Sequence, residues 1–129
     1  MKKFLTICFV CIVPVLGWAD ISKCTGTAGK IITDINGNKY CRSHITMNWW
    51  SANAWCDVLG MTVINPSEDC YCSGEKCDTS VRCPNLKGVG EGEVWTNSKK
   101  GNQAVYTIIL YNGSMESPPQ KNQNYALCK

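Results

Sequence analysis

The order of elements in the sequence predicts an α+β fold: one main helix packed on a small, mostly antiparallel sheet, stapled by disulfides and preceded by a β-hairpin. Three observations carry this. Two extended runs precede a single amphipathic stretch and several extended runs follow it, an arrangement unlike the alternating units of a parallel sheet. The chain has 129 residues, 44% of them hydrophobic and 18% charged, which suits one domain and is too apolar for disorder. Its 10 cysteines reach the density of a disulfide scaffold.

Residues 1–19 read as an address. Lys2 and Lys3 form a positive start, Phe4 to Leu16 is an apolar run, and Gly17 and Ala19 stand at the −3 and −1 positions of a cleavage site before Asp20. The run of about 13 residues is shorter than the ~20 that a membrane-spanning helix needs. Neither Cys8, after Ile7, nor Cys11, after Val10, has the small preceding residue of a bacterial lipoprotein site. The mature chain is therefore expected to start at Asp20, exported to the periplasm, cell surface or medium, with no membrane span after cleavage. Loss of Lys2 and Lys3 lowers the net charge from +3 to +1, without the basic tract of a nucleic-acid or membrane-surface binder.

The first element is a hairpin over residues 20–42. Ile31-Ile32-Thr33-Asp34-Ile35 and Lys39-Tyr40 flank Asn36-Gly37, the dipeptide whose backbone suits a two-residue turn. The remaining residues, 43–129, make up the main domain. Its helix is predicted over Met47 to Leu59, with Thr46 as N-cap and Gly60 as the left-handed residue after the end. Trp49, Ala52, Cys56 and Leu59 share one face, while Met47, Trp50, Ala54 and Val58 recur on an adjoining one. The helix is thus expected to be buried on more than one side, its aromatics serving as core.

Met61 to Ile64 reads as a short strand stopped at Asn65-Pro66, and Ser67-Glu68-Asp69 as one capped helical turn. Gly88 to Gly92 is a loop; the extended Val94-Trp95-Thr96 after it excludes a phosphate cradle, which needs a helix there. Ala104 to Leu110 is the strongest strand. Its alternate residues are apolar on both faces, as in a central strand. Asn112-Gly113 turns it into another strand ending by Pro118-Pro119, Pro118 to Asn124 is a polar exposed loop, and Tyr125 to Cys128 is the final strand.

Removal of the leader leaves eight cysteines, an even number in an exported chain. A hairpin brings its ends together, so Cys24 pairs with Cys41. Cys70, Cys72, Cys77 and Cys83 have the make-up of a zinc site, but an oxidising compartment favours two local bridges. Cys70–Cys83 around Cys72–Cys77 is preferred, with the crossed pairings open. Elimination leaves Cys56 to Cys128.

At this point the residues resemble a family. Trp55-Cys56 on a helix, Gly60-Met61-Thr62-Val63 after it, Trp95 in a middle strand and Ala126-Leu127-Cys128-Lys129 at the end are similar to the C-type lectin-like fold, most of all to its bacterial exported members. The resemblance spans Tyr40 to Lys129. It implies the same Cys56–Cys128 bridge and, from the longer forms, the hairpin disulfide Cys24–Cys41. Animal calcium-dependent lectins hold sugar through Glu-Pro-Asn or Gln-Pro-Asp plus Trp-Asn-Asp. Here the only Pro-Asn follows Cys83, and Trp95 precedes Thr96-Asn97, so the calcium ligands do not carry over. Glu68, Asp69, Glu75, Asp78, Glu91 and Glu93 read as solvated acidic loops rather than a cation site.

Nothing in the sequence points to an enzyme or a cofactor. His44, the one histidine, has no Ser or Asp fixed relative to it and reads as a surface residue at the helix entry. Bridged cysteines leave no thiol nucleophile. The resemblance implies instead a calcium-independent binding module, as in adhesion, recognising a glycan or protein through its C-terminal loops. Candidate ligand-binding residues are Asn97, Lys99, Lys100, Asn102, Tyr111, Asn112, Asn122 and Asn124. The alternative is a structural or assembly subunit of a surface appendage or envelope.

Overall fold

In the computed structural model, which describes residues 21–72 and 77–129, the first hairpin turns at Asn36-Gly37, with Gly37 at φ 92°. Strands β1 (Gly29–Thr33) and β2 (Lys39–Met47) pair antiparallel, Ile31 opposite Cys41. Asp34 and Ile35, expected in the strand, belong to the turn instead. Asp34 Oδ1 accepts from the Asn36 and Asn38 N–H groups, both at 2.9 Å, and Oδ2 accepts from the Tyr40 hydroxyl at 2.8 Å and Asn85 Nδ2 at 2.9 Å. Burial pushes the Asp34 carboxyl up, but the hydrogen bonds from Asn85, Asn38 and Tyr40 outweigh it and hold the group below the usual range. Burial and that same carboxylate raise the Tyr40 hydroxyl.

Helix α1 (Trp49–Val58) is capped by Asn48, not Thr46, because β2 runs on through Met47 and keeps Thr46 extended. Asn48 Oδ1 accepts from the Ser51 N–H at 2.8 Å, filling one of the donors a helix start leaves open. Gly60, at φ 71°, follows the last turn as expected. The expectation of burial on two sides fails. Ala52, Cys56 and Leu59 are fully covered, whereas Trp50 is 54% exposed and Val58 76%. The sheet lies against one face of the helix, and among the described residues nothing covers the other.

Met61 to Ile64 is not a strand. Thr62 exchanges backbone hydrogen bonds with Lys129, and Val63 forms an isolated bridge to Cys128 before Pro66 opens the one-turn helix α2 (Pro66–Asp69), capped by Asn65. Strands β3 (Glu93–Lys100), β4 (Ala104–Ile109), β5 (Ser114–Glu116) and β6 (Asn124–Cys128) complete a six-stranded sheet in the order β1-β2-β6-β3-β4-β5. All neighbours are antiparallel except β3 and β6. The strand after Asn112-Gly113 ends at Glu116, short of the prolines. The hairpin and the rest of the chain share this sheet, since β2 crosses the division at residues 42 and 43 and pairs with β6.

Alternation along the strands builds two cores. Trp95, Val105, Ala126 and Cys128 pack with Ala52 and Cys56 of α1. Val94, Ile108 and Leu127 pack with Ile32, Tyr40, Ile64 and Leu86 on the other face. β4 is covered on both faces, as its composition predicts, with Val105 in one core and Ile108 in the other, but it lies next to the edge strand β5 and not at the centre of the sheet.

The four disulfides are Cys24–Cys41, Cys56–Cys128, Cys70–Cys83 and Cys72–Cys77, with Cα atoms 5.6, 5.6, 4.4 and 5.9 Å apart. The zinc reading of the central four is thereby replaced by local bridges in the preferred, uncrossed arrangement. Cys8, Cys11 and the leader lie outside the described residues.

Candidate functional site

The eight candidate residues do not form one face. Strand β4 separates them: Lys100 pairs with Ala104 at one end and Glu93 with Ile109 at the other. At roughly 3.4 Å per residue those ends are about 17 Å apart. Tyr111 and Asn112 lie at the far end, where the Cys83 N–H donates to the Gly113 carbonyl at 2.9 Å. Asn112 Oδ1 accepts from the Ser114 N–H at 2.9 Å and so serves the turn. Asn97 faces elsewhere again, lining a cavity of about 470 Å³ with Asn53, Asp57 and Thr62 beside α1.

At the near end the loop 117–123 is laced into place by its backbone. The Val105 N–H donates to the Pro118 carbonyl at 3.1 Å, the Gln120 N–H to Gln103 at 2.9 Å, and the Trp49 N–H to Gln120 at 3.0 Å. The segment is exposed at Pro119, Lys121, Asn122 and Gln123, as its composition predicts. Gln120 is buried, because both its backbone groups are drawn in between the β3–β4 hairpin and the start of α1, and Asn124 is buried as the first residue of β6.

This lacing forms a groove of about 230 Å³ lined by Trp50, Gln103, Pro119, Gln120 and Lys121. The neighbouring Trp49 is anchored by its Nε1, which donates to the Thr96 carbonyl at 3.0 Å. The Trp49 and Trp50 rings meet edge to face at 6.2 Å, and Lys99 Nζ lies 5.2 Å from the centre of the Trp49 ring. Gln120 is only 7% exposed, yet its side-chain amide makes no hydrogen bond among the described residues. Its amide atoms open onto the groove, since among the described residues the buried side-chain polar atom without a partner is Arg42 Nε. The groove therefore offers a ligand an aromatic plate, the N–H donors and carbonyl acceptor of the Gln120 amide, and the Lys121 ammonium.

The other side of the same loop borders a second cavity, about 370 Å³, lined by Glu93, Glu116, Ser117, Pro118, Asn122 and Asn124. Glu93 Oε2 accepts from the Thr107 hydroxyl at 2.5 Å. Two of the candidates, Asn122 and Asn124, thus belong to this cavity and not to the groove. Lys99 reaches the aromatic pair, while Lys100 and Asn102 sit in the adjoining hairpin without lining the groove. Sequence reasoning missed Trp50. The signal was present: consecutive helical residues point about 100° apart, so Trp49 and Trp50 cannot both face one core.

Among the remaining acidic residues, Glu68 and Asp69 pair with Lys129 Nζ at 2.7 and 3.1 Å. Burial lowers the Lys129 ammonium, but its hydrogen bonds to Glu68 and Asp69 outweigh that and raise it. Hydrogen bonds from Lys87 and Ser80 hold the Asp78 carboxyl down at about 2. Glu91 is exposed, and Glu75 lies outside the described residues. His44 is exposed on β2. Among the described residues no helix is long and apolar enough to cross a membrane. No protein-family model and no curated protein matches the sequence.

Proposed function

We propose that the protein is an exported, non-enzymatic binding module of C-type lectin-like fold that takes a glycan in the groove beside Trp50. The observation that carries this reading is the pairing of an exposed indole with the unpartnered amide of Gln120. A pyranose ring has an apolar face that suits an aromatic plate and a rim of hydroxyls that both donate and accept, as an amide does. The groove lining contains no carboxylate, so sugar held here needs no calcium bridge. Support for the fold family comes from the Trp-Cys helix bridged to the last strand, with Trp95 buried in the strand beside it. Support for export comes from the apolar leader and the four disulfides.

The test is a tryptophan-fluorescence titration of the chain from residue 20 against a panel of oligosaccharides, repeated with Trp50→Ala. Binding that perturbs the fluorescence and falls at least tenfold in the variant supports the reading. A panel with no binder, together with sedimentation that rises with concentration and is reversed by Trp50→Ala, favours the assembly-subunit reading instead.

A further inference from the structure

Resting on the glycan reading of the Trp50 groove, we infer that its ligand is an acidic saccharide, a sugar ring carrying a carboxylate or sulfate. The charge around the groove points one way. Lys121 lines it, Lys99 lies over the neighbouring Trp49 ring, and Lys100 stands in the adjoining hairpin. None of the three forms an ion pair among the described residues, and no acid lines the groove.

The backbone adds to this. Trp50 is the second residue of the ten-residue helix α1, whose first turn contains no acidic side chain. A helix start carries partial positive charge, and an anion is favoured there. Trp49, Ser51 and Ala52 have acceptors for their N–H groups in Gln120 and Asn48, but the Trp50 N–H has none among the described residues. Gln120, held by its backbone, turns an amide that bonds to no other described side chain or backbone group toward the open groove, where it can meet a polar group. The positive corner is local: the chain from Asp20 carries a net charge of only +1, and Glu93 and Glu116 stand on the other side of the loop. With screening over about 8 Å in physiological salt, the lysines act on a ligand in this groove and hardly beyond it. A neutral sugar would leave these charges unanswered. A ring stacked on Trp50 with its acidic group toward Lys121 and the helix start satisfies indole, amide and ammonium together.

The experiment titrates the chain from residue 20 with oligogalacturonate, a heparin oligosaccharide, a neutral galactan oligomer of matching length, and polyphosphate as a polyanion without sugar rings. The carboxylated and sulfated arms distinguish the two acidic groups. At least one acidic sugar should bind tenfold or more tighter than the galactan and the polyphosphate. That binding should fall at least tenfold in Trp50→Ala, several-fold in Lys121→Gln, and little in Trp50→Phe, which keeps an aromatic plate. Near-UV circular dichroism checks that each variant is folded. Galactan binding as tightly as the acidic sugars, with the same loss in Trp50→Ala, would leave the groove reading standing and overturn this inference. Acidic sugars binding wild type and Trp50→Ala alike, or polyphosphate binding as tightly, would reduce the effect to diffuse attraction and overturn it too. So would a failure of both acidic sugars to bind.

Discussion

One loop has two faces of opposite chemistry. Toward α1, residues 117–123 present Pro119, Gln120 and Lys121 to an exposed indole; toward β5 they present Ser117, Pro118 and Asn122 to Glu93 and Glu116. The first face is organised by backbone. Gln120 spends its N–H and carbonyl on Gln103 and Trp49, which buries the residue and leaves its side chain unspent. The second face is organised by the sheet, whose strands β3 and β5 hold the two carboxylates in place, Glu93 against Thr107. A side chain is released for a ligand where the backbone does the anchoring, and is occupied where it does the anchoring itself.

The largest effect on this comparison should come from parting the elements that support it. The Cys56–Cys128 bridge joins α1, which carries Trp50, to β6, which carries Asn124, and closes a loop of 72 residues. Replacing both cysteines by alanine should cost about 4 kcal/mol of stability in the chain-entropy account. Denaturant unfolding would measure it, and both faces should be lost in the same transition. Thiol titration of the denatured, oxidised chain from residue 20 should find no free cysteine.

Next in size is the direct contrast between neighbours on the loop. Gln120→Ala should weaken saccharide binding about tenfold, or 1.4 kcal/mol, while Asn122→Ala should leave it within about twofold. Equal losses in a calorimetric titration would mean that the ligand spans both faces.

A smaller, pH-dependent effect separates the groove from the hairpin. The Asp34 carboxyl is held below its ordinary range in the folded chain, so its stabilisation is present above the unfolded carboxylate value and is lost as pH falls through the lowered folded one. Stability measured through that acid window should decline, and Asp34→Asn should flatten the decline without altering binding. The smallest change is expected from Tyr111→Ala. This residue is 76% exposed at the far end of β4, and its loss should move stability by no more than about 0.5 kcal/mol and leave binding unchanged.

Much of the fold was legible because local chemistry and tertiary structure agree. Asn36-Gly37 turns, Gly60 ends the helix, and the two-sided apolar character of Ala104 to Leu110 marks a strand with cover on both faces. The Cys24–Cys41 bridge was legible for the same reason, since a hairpin brings its ends together. Cys56–Cys128, 72 residues apart, followed only from elimination and from the resemblance, and local spacing left crossed pairings open among the central four. Errors arose where a distant element decided. Thr46 has a capping side chain, but pairing of β2 with β6 keeps it extended and passes the cap to Asn48. Trp50 shares a helical repeat with Met47 and Ala54, and nothing in that repeat tells that the sheet covers a single face. The candidate site fared worse than the fold. Composition alone groups the polar loops, whereas the length of β4 sends Tyr111 and Asn112 to one end and residues 117–123 to the other.

The position of β6 has a consequence for how the chain reaches this state. It lies between β2 and β3 and contributes Ala126 and Cys128 to one core and Leu127 to the other, yet it follows every other strand in the chain. The β1–β2 hairpin and the β3–β4–β5 meander are each built from strands adjacent in the chain, but they do not pair with one another directly. Residues 124–128 supply the strand pairing between them, complete both cores and bring Cys128 to Cys56, beside side-chain ties such as Trp95 Nε1 to the Met47 carbonyl. Folding therefore depends on long-range closure and should be slow for a chain of this size.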